Sequence, residues 1–135
     1  MKILSIFCLS ILASTALLAQ QKALPGTWQV IDFKMVMEEN TKHMNEETLK
    51  KEGAVWDLIF GEDGSLTQTS NMRNGEMESW EGHYETEGVK LKLFLQIEGR
   101  EMQLQYQYEF KDALLHLKRS NPMGTVHVLT QFRKG

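Results

Sequence analysis

The sequence predicts an all-β fold, an eight-stranded antiparallel up-and-down barrel with one short helix between strands one and two. Apolar and polar residues alternate along most of the chain, most regularly from Met102 to Phe110, which is typical of strands with one buried and one solvated face. Short turns rich in glycine, asparagine and aspartate separate these segments, and such turns join antiparallel neighbours.

A closed barrel is the arrangement that this number of strands favours. Strands of this length can curl until the eighth pairs with the first, which removes both exposed edges of the sheet. An open sheet covered by a single short helix would bury far less apolar surface. A β-sandwich is the alternative arrangement of the same strands.

Residues 1–19 have the pattern of a secretory signal peptide. Lys2 supplies the positive charge, residues 3–18 are apolar or small, and cleavage is expected after Ala19. The apolar stretch is short for a membrane span and no cluster of charge follows it, so a retained membrane anchor is the weaker interpretation. We expect an exported protein, periplasmic or secreted, with a short linker at 20–24, a barrel domain at 25–135 and no membrane span in the mature chain.

The first strand and the helix follow the linker. Strand one is expected from Trp28 to Met37, because β-branched and aromatic residues are frequent there. The helix is expected at 45–53. Asn45 is a suitable N-cap, glutamates occupy the first turn, lysines occupy the last turn, and Gly53 suits the position that follows a helix.

Turn residues then divide the rest of the chain into seven further strands. Gly61-Glu62-Asp63-Gly64 is the clearest hairpin turn among them, and Asn74-Gly75 is another. The expected strands are 55–60, 65–70, 76–86, 89–97, 102–110, 113–119 and 125–132.

Strand one leaves its register open. In a regular strand Trp28 lies on the same face as Asp32 and Lys34. If Trp28 points inward, either these two charged residues enter the interior or a β-bulge reverses the alternation between them and Trp28.

Gly26-Thr27-Trp28, directly after Pro25, resembles the Gly-x-Trp signature of lipocalins, and the chain looks like the small bacterial lipocalin-like domains of the calycin group. The resemblance implies a barrel whose floor is closed by Trp28, with Gly26 beside it. It also implies an arginine late in the last strand that packs over the indole, and Arg133 is the residue expected there.

Composition argues against several functional classes. The net charge is −3 and basic residues form no cluster, so binding to nucleic acid is not expected. The only cysteine, Cys8, lies in the leader. The serines occur in no nucleophile motif, and the four histidines are dispersed without metal-ligand spacing: His43, His83, His116 and His127. We expect neither an enzyme nor a metal or cofactor, and the oligomeric state is left open.

Aromatic residues and methionines provide the one feature that resembles a site. The expected ligand-binding residues are Phe60, Trp80, Tyr84, Tyr106, Tyr108, Met37 and Met44. One hypothesis is a cavity that binds a small apolar or amphipathic molecule under an apolar lid formed by Met37, Met44 and Leu49. The other is a solid barrel, acting as a non-catalytic accessory or protein-interaction domain.

Overall fold

The computed structural model describes residues 22–135, so the predicted leader and residues 20 and 21 lie outside the described part. The strands and the helix whose bounds lie within the described part are β1 Gly26–Val36, β2 Thr41–Met44, α1 Glu46–Lys51, β3 Trp56–Phe60, β4 Ser65–Ser70, β5 Glu78–Glu87, β6 Lys90–Ile97, β7 Arg100–Lys111, β8 Leu114–Ser120 and β9 His127–Lys134. No helix within residues 22–135 is long and apolar enough to cross a membrane.

The strands form a closed barrel. Each strand from β3 to β8 pairs antiparallel with the next, β1 pairs with β3, and β9 returns to pair with β1. Eight strands therefore make the closed wall, which confirms the predicted up-and-down barrel, and the pairing of β1 with β9 excludes the β-sandwich. We call the end of the barrel where β1 begins the floor, and we call the opposite end the open end.

The short strand β2 was not predicted. It pairs with the second half of β1, from Phe33 opposite Met44 to Val36 opposite Thr41. β3 pairs only with the first half of β1, from Gly26 to Gln29. β2 therefore replaces β3 beside β1 at the open end, and the other edge of β2 has no strand partner among the described residues.

A β-bulge in β1 settles the register that the sequence left open. Val30 lies opposite Phe132, but Asp32 lies opposite Gln131, so Ile31 is an extra residue on β1. The extra residue reverses the alternation. Trp28 and Val30 point inward before it, while Asp32 points outward after it, where its carboxylate is 2.8 Å from Nε2 of His43.

The core fills the barrel from the floor upward. Its members are buried aliphatic and aromatic side chains from nearly every strand: Leu24, Trp28, Leu58, Phe60, Leu66, Leu91, Leu93, Leu95, Ile97, Tyr106, Tyr108, Leu115, Leu117 and Phe132. Leu24, which the sequence placed in the linker, is fully buried. Its carbonyl accepts a hydrogen bond of 2.8 Å from Nε1 of Trp28, so the packed domain begins before Pro25.

The floor shows why glycine precedes the tryptophan by two residues. Trp28 is 3% exposed, and Nζ of Lys134 lies 5.6 Å from the centroid of its ring. The side chain of Lys134 passes over Gly26, where a Cβ atom would lie 2.7 Å from its Cε atom. Gly26 also has a φ of +135°, which side chains with a Cβ rarely adopt.

The prediction that Arg133 packs over Trp28 is wrong by one residue. Lys134 is the direct partner of Trp28 across β1 and β9, whereas Arg133 lies opposite Gln29 and is exposed. Because side chains alternate along a strand, only Lys134 shares the face of the indole. Arg133 instead donates two hydrogen bonds, of 2.8 and 3.2 Å, to the carboxylate of Glu46 in α1.

This ion pair shows that α1 is not the predicted lid. Arg133 lies at the floor end of β9, so its partner Glu46 lies beside the outer wall rather than over the open end. The helix begins as predicted, because the side chain of Asn45 accepts a hydrogen bond from the backbone N–H of Thr48. Leu49 is 2% exposed and holds the helix against the barrel, where α1 contacts β1 and β2.

We expect the Glu46–Arg133 pair to fix α1 without contributing much to global stability. The hydrogen bonds from Arg133 lower the pKa of Glu46 below its ordinary value of 4.5, so the pair is fully formed above that pH and is lost as the pH falls below it. Arg133→Gln should speed hydrogen–deuterium exchange of the peptide 45–54 at neutral pH and leave the melting temperature close to that of the wild type. Lys134→Gln, one residue along, should not change this exchange. Equal exchange in the wild type and in Arg133→Gln would contradict the assignment.

Candidate functional site

A cavity of about 420 Å³ opens at the end of the barrel opposite Trp28. Its lining comes from the half of each strand that is nearer the open end. β1 ends at the open end, β3 begins at it, and the later strands run alternately toward and away from it. This volume is within the range of pockets that hold small molecules. The interior is therefore divided into a solid floor and a hollow open end.

Apolar side chains form most of the cavity wall. They are Phe33, Met35, Trp56, Met72, Trp80, Ile97, Met102 and Leu104. The ring of Trp56 meets that of Phe132 edge-on, with centroids 5.1 Å apart, so Trp56 rests on the top of the packed core. The two tryptophans offer flat, rigid apolar surfaces to a bound molecule.

Polar groups occupy defined positions on the same wall. Gln68 is 7% exposed, and its Oε1 atom accepts a hydrogen bond of 3.2 Å from Nε1 of Trp56. Ser70 accepts a hydrogen bond of 3.1 Å from the backbone N–H of Met72. Both residues point inward because they follow the buried Leu66 at intervals of two along β4.

Three cationic side chains complete the lining, and no carboxylate of residues 22–135 belongs to it. The guanidinium of Arg73 lies 5.0 Å from the centroid of the Trp80 ring and 4.0 Å from the carboxylate of Glu78. Lys42 extends from β2 and Arg119 from β8. Burial raises the pKa of the Tyr106 hydroxyl, and the nearby guanidinium of Arg119 opposes that rise.

The wall of the cavity is interrupted beside β2. A gap of about 220 Å³ lies between β2, residues 52–54 and the loop between β4 and β5, and it shares Lys42 and Met72 with the cavity lining. Asn71 fixes the far side of this gap, because its side chain accepts a hydrogen bond of 2.7 Å from the N–H of Val55 and donates one of 2.8 Å to the carbonyl of Gly53.

Methionines surround the open end. Four exposed ones form a group that we call the methionine rim, with Met37 after β1, Met77 before β5, Met102 near the start of β7 and Met123 in the loop between β8 and β9. Their exposed fractions range from 38% for Met37 to 84% for Met123. Unbranched thioether side chains adapt their shape to what they contact, so the rim suits an entrance.

No protein-family model and no curated protein matches the chain. Solved structures resemble it along most of its length, among them two from Bacteroides species. A lipocalin-like protein from Bacteroides uniformis has a TM-score of 0.54 and 16% sequence identity, and the match covers 84% of this chain and 99% of that one. An uncharacterized protein from Bacteroides eggerthii has a TM-score of 0.52 and 15% identity, with 82% of this chain and 98% of that one covered.

The chain has a lipocalin-like fold. This confirms the resemblance drawn from Gly26-x-Trp28, and at these identities the likeness concerns the fold alone. The floor closed by Trp28 and the cavity at the opposite end are consistent with that fold.

Only one of the predicted ligand-binding residues lines the cavity of this lipocalin-like barrel, and it is Trp80. Phe60, Tyr106 and Tyr108 belong to the packed core. Tyr84 packs edge-on against Phe60, with ring centroids 4.9 Å apart, and its hydroxyl donates a hydrogen bond of 2.6 Å to the carbonyl of Gly61 at the floor end.

The two predicted methionines lie outside the cavity. Met44 is 7% exposed and borders the gap beside β2, while Met37 is exposed on the methionine rim. The expected lid of Met37, Met44 and Leu49 is therefore not formed, because β2 and α1 continue along the outer wall instead of crossing the opening.

Several cavity residues were missed although the sequence contains a signal for most of them. Gln68 and Ser70 continue the inward-facing alternation that begins at Leu66 on β4, and Arg119 continues the one that begins at Leu115 on β8. They were overlooked because polar residues at inward positions were not expected. Lys42 had no such signal, since β2 itself was not predicted.

A larger concavity, of about 590 Å³, lies on the outer surface across β7, β8, β9 and β1. Its lining includes charges of both signs, among them Asp32, Lys34 and Glu109, and its middle row consists of Tyr108, Leu117 and Thr130, which are buried in the wall. It is the groove between two rows of outward side chains, one row with Lys34 and Lys118 and the other with Asp32 and Glu109. Within residues 22–135, no group of histidine, cysteine or acidic side chains is placed to hold a metal ion.

Proposed function

We propose that this protein is an exported, non-catalytic binding protein that holds a small amphipathic molecule in the open end of its lipocalin-like barrel. The observation that carries the proposal is the cavity of about 420 Å³, walled by Trp56, Trp80 and aliphatic side chains, with polar groups at a few fixed positions. Pockets for small molecules combine these features: a mostly apolar wall and a small number of polar groups that orient the ligand.

The division of the interior supports binding over a solid accessory barrel. The packed floor supplies stability, so the side chains at the open end are not needed to close the core. A bound apolar group there removes the exposed faces of the two tryptophans from water, and the adaptable methionine rim borders its path.

A neutral fluorescent probe tests this proposal. We expect Nile red to bind wild-type protein in one-to-one stoichiometry, with a blue-shifted emission excited by energy transfer from tryptophan. Leu104→Trp should fill the cavity and weaken binding by about tenfold or more, which corresponds to about 1.4 kcal/mol. Val89→Trp is the matched control, because it adds the same side chain beside the outer concavity.

Two results would contradict the proposal. Loss of binding in Val89→Trp but not in Leu104→Trp would place the probe on the outer surface. Absence of binding by the folded wild type, with Nile red and with a panel of fatty acids and aromatic dyes, would favour the packed accessory domain.

Export is tested separately. Lys2 and the apolar run that follows support a cleaved leader. When the full-length chain is expressed in a Gram-negative host, we expect soluble periplasmic protein whose intact mass corresponds to a chain beginning near Gln20. A full-length chain retained in the membrane fraction would refute the proposal of export.

A further inference from the structure

The charge of the cavity opposes the charge of the chain. The protein contains 18 acidic and 15 basic residues and has a net charge of −3. The cavity lining nevertheless contains three cations, Lys42, Arg73 and Arg119, and no acidic residue. An apolar cavity that is lined by positive charges and lacks negative ones attracts a negatively charged ligand.

The strand register directs two of these cations inward. Lys42 lies opposite Met35 in the pairing of β2 with β1, and directly opposed residues share a face, so Lys42 lies on the cavity side of β2. Arg119 follows Leu115 and Leu117 at intervals of two along β8, and both leucines are buried in the core.

The same two cations have no acidic partner among the residues that the structure describes. Among residues 22–135, Arg73 forms an ion pair with Glu78, but neither Lys42 nor Arg119 has a carboxylate oxygen within 4.0 Å. Both side chains are exposed, so water solvates them in the absence of a partner. A ligand anion therefore gains two charged contacts without first breaking an internal ion pair.

We propose that the bound molecule is an anionic amphipath whose apolar part lies between Trp56 and Trp80 and whose carboxylate or similar acidic group is bound by Arg119 and Lys42. This inference rests on the proposed function and specifies the ligand class of the same cavity. Arg119 supplies planar, fork-like donors that match a carboxylate, and Lys42 supplies a compact ammonium group on a long side chain from β2.

A set of ligands that share one apolar chain and differ in the charge of the head group tests the effect of ligand charge alone. Dodecanoate, dodecanol and dodecyltrimethylammonium are each titrated below their micellar concentrations, with displacement of Nile red as the signal. We expect dodecanoate to bind at least about tenfold more tightly than dodecanol, and the cationic analogue to bind most weakly. Addition of NaCl should weaken the binding of dodecanoate but not that of dodecanol. Dodecyl phosphate is included to separate carboxylate from phosphate recognition.

The variants assign the preference to particular residues. Lys42→Gln combined with Arg119→Gln should abolish the preference, so that dodecanoate binds no more tightly than dodecanol. Lys34→Gln combined with Lys118→Gln is the control, because it removes the same amount of charge from the outer face of the barrel. In this control the preference should persist.

The outcomes separate this inference from the proposed function. Equal binding of dodecanoate and dodecanol by the wild type, or tighter binding of the cationic analogue, overturns the anion inference while leaving the cavity as a binding site. Persistence of the preference in the Lys42/Arg119 double variant also overturns it. Failure of Nile red and of all the dodecyl ligands to bind overturns the proposed function itself.

Discussion

Replacement of Trp28 by alanine is expected to cost about 3–5 kcal/mol of unfolding free energy, the range for large aromatic side chains removed from a core. The indole is 3% exposed, and its Nε1 atom donates a hydrogen bond to the carbonyl of Leu24. The centroid of its ring lies 5.6 Å from the centroid of the Phe110 ring. The variant loses these contacts together with the floor of the barrel. Chemical denaturation of the purified protein, analysed by linear extrapolation, measures the loss.

Trp80→Ala is the matched control for that measurement. It removes the same side chain from the cavity wall, where Trp80 is only half-buried, so the loss of stability should be distinctly smaller. A stability of Trp28→Ala close to that of the wild type would remove the indole from the set of core residues. Equal losses in the two variants would contradict the division between a solid floor and a hollow open end.

Gly82→Ala is expected to destabilise the barrel by about 3 kcal/mol or more, the upper part of the range for overpacked sites. Gly82 lies between the inward-facing Trp80 and Tyr84 on β5, where a Cβ atom would lie 1.7 Å from the carbonyl oxygen of Phe94 on β6. The clashing atom belongs to the backbone, so no change of rotamer relieves it. Glycine at such a position marks a close approach of two strands, as occurs where a sheet bends to close a barrel.

Gly53→Ala separates this clash from ordinary backbone strain. Gly53 has a φ of +66°, and a Cβ atom added there would meet no other atom within 4 Å, so alanine carries only the conformational cost, about 1–2 kcal/mol. Thermal and denaturant unfolding should rank Gly82→Ala as clearly the less stable variant. The reverse order would show that β5 and β6 can separate locally without loss of the fold.

Most of the barrel could be predicted from local sequence patterns. Turn residues and alternation determine strands that are joined by short loops, and closure follows from their number. β2 was missed because Thr41–Met44 is short and mostly exposed, so it lacks the apolar alternation of a wall strand. The bulge at Ile31 was left undecided because the local pattern permits either register, and only pairing with β9 selects one.

The candidate site was harder to predict for a geometric reason. Alternation shows which side chains point inward but not how far along the barrel axis each one lies. Tyr106 and Trp80 both point inward, yet Tyr106 lies in the packed core and Trp80 at the cavity. The height of a residue depends on the stagger of all the strands around the barrel, which is a property of the whole sheet.

The methionine rim places the oxidisable sulfur of the described chain at one end of the molecule. Met35, Met72 and Met102 line the cavity, Met37, Met77 and Met123 surround it, and the buried Met44 borders the gap beside β2, whereas the main core cluster of the described residues contains no methionine. Peroxide converts a thioether into a polar, chiral sulfoxide, and exposed methionines react first. Oxidation of these methionines therefore makes the entrance of the cavity polar and leaves the leucine-rich floor unchanged. We expect an oxidised molecule to lose the apolar character of its entrance before it unfolds.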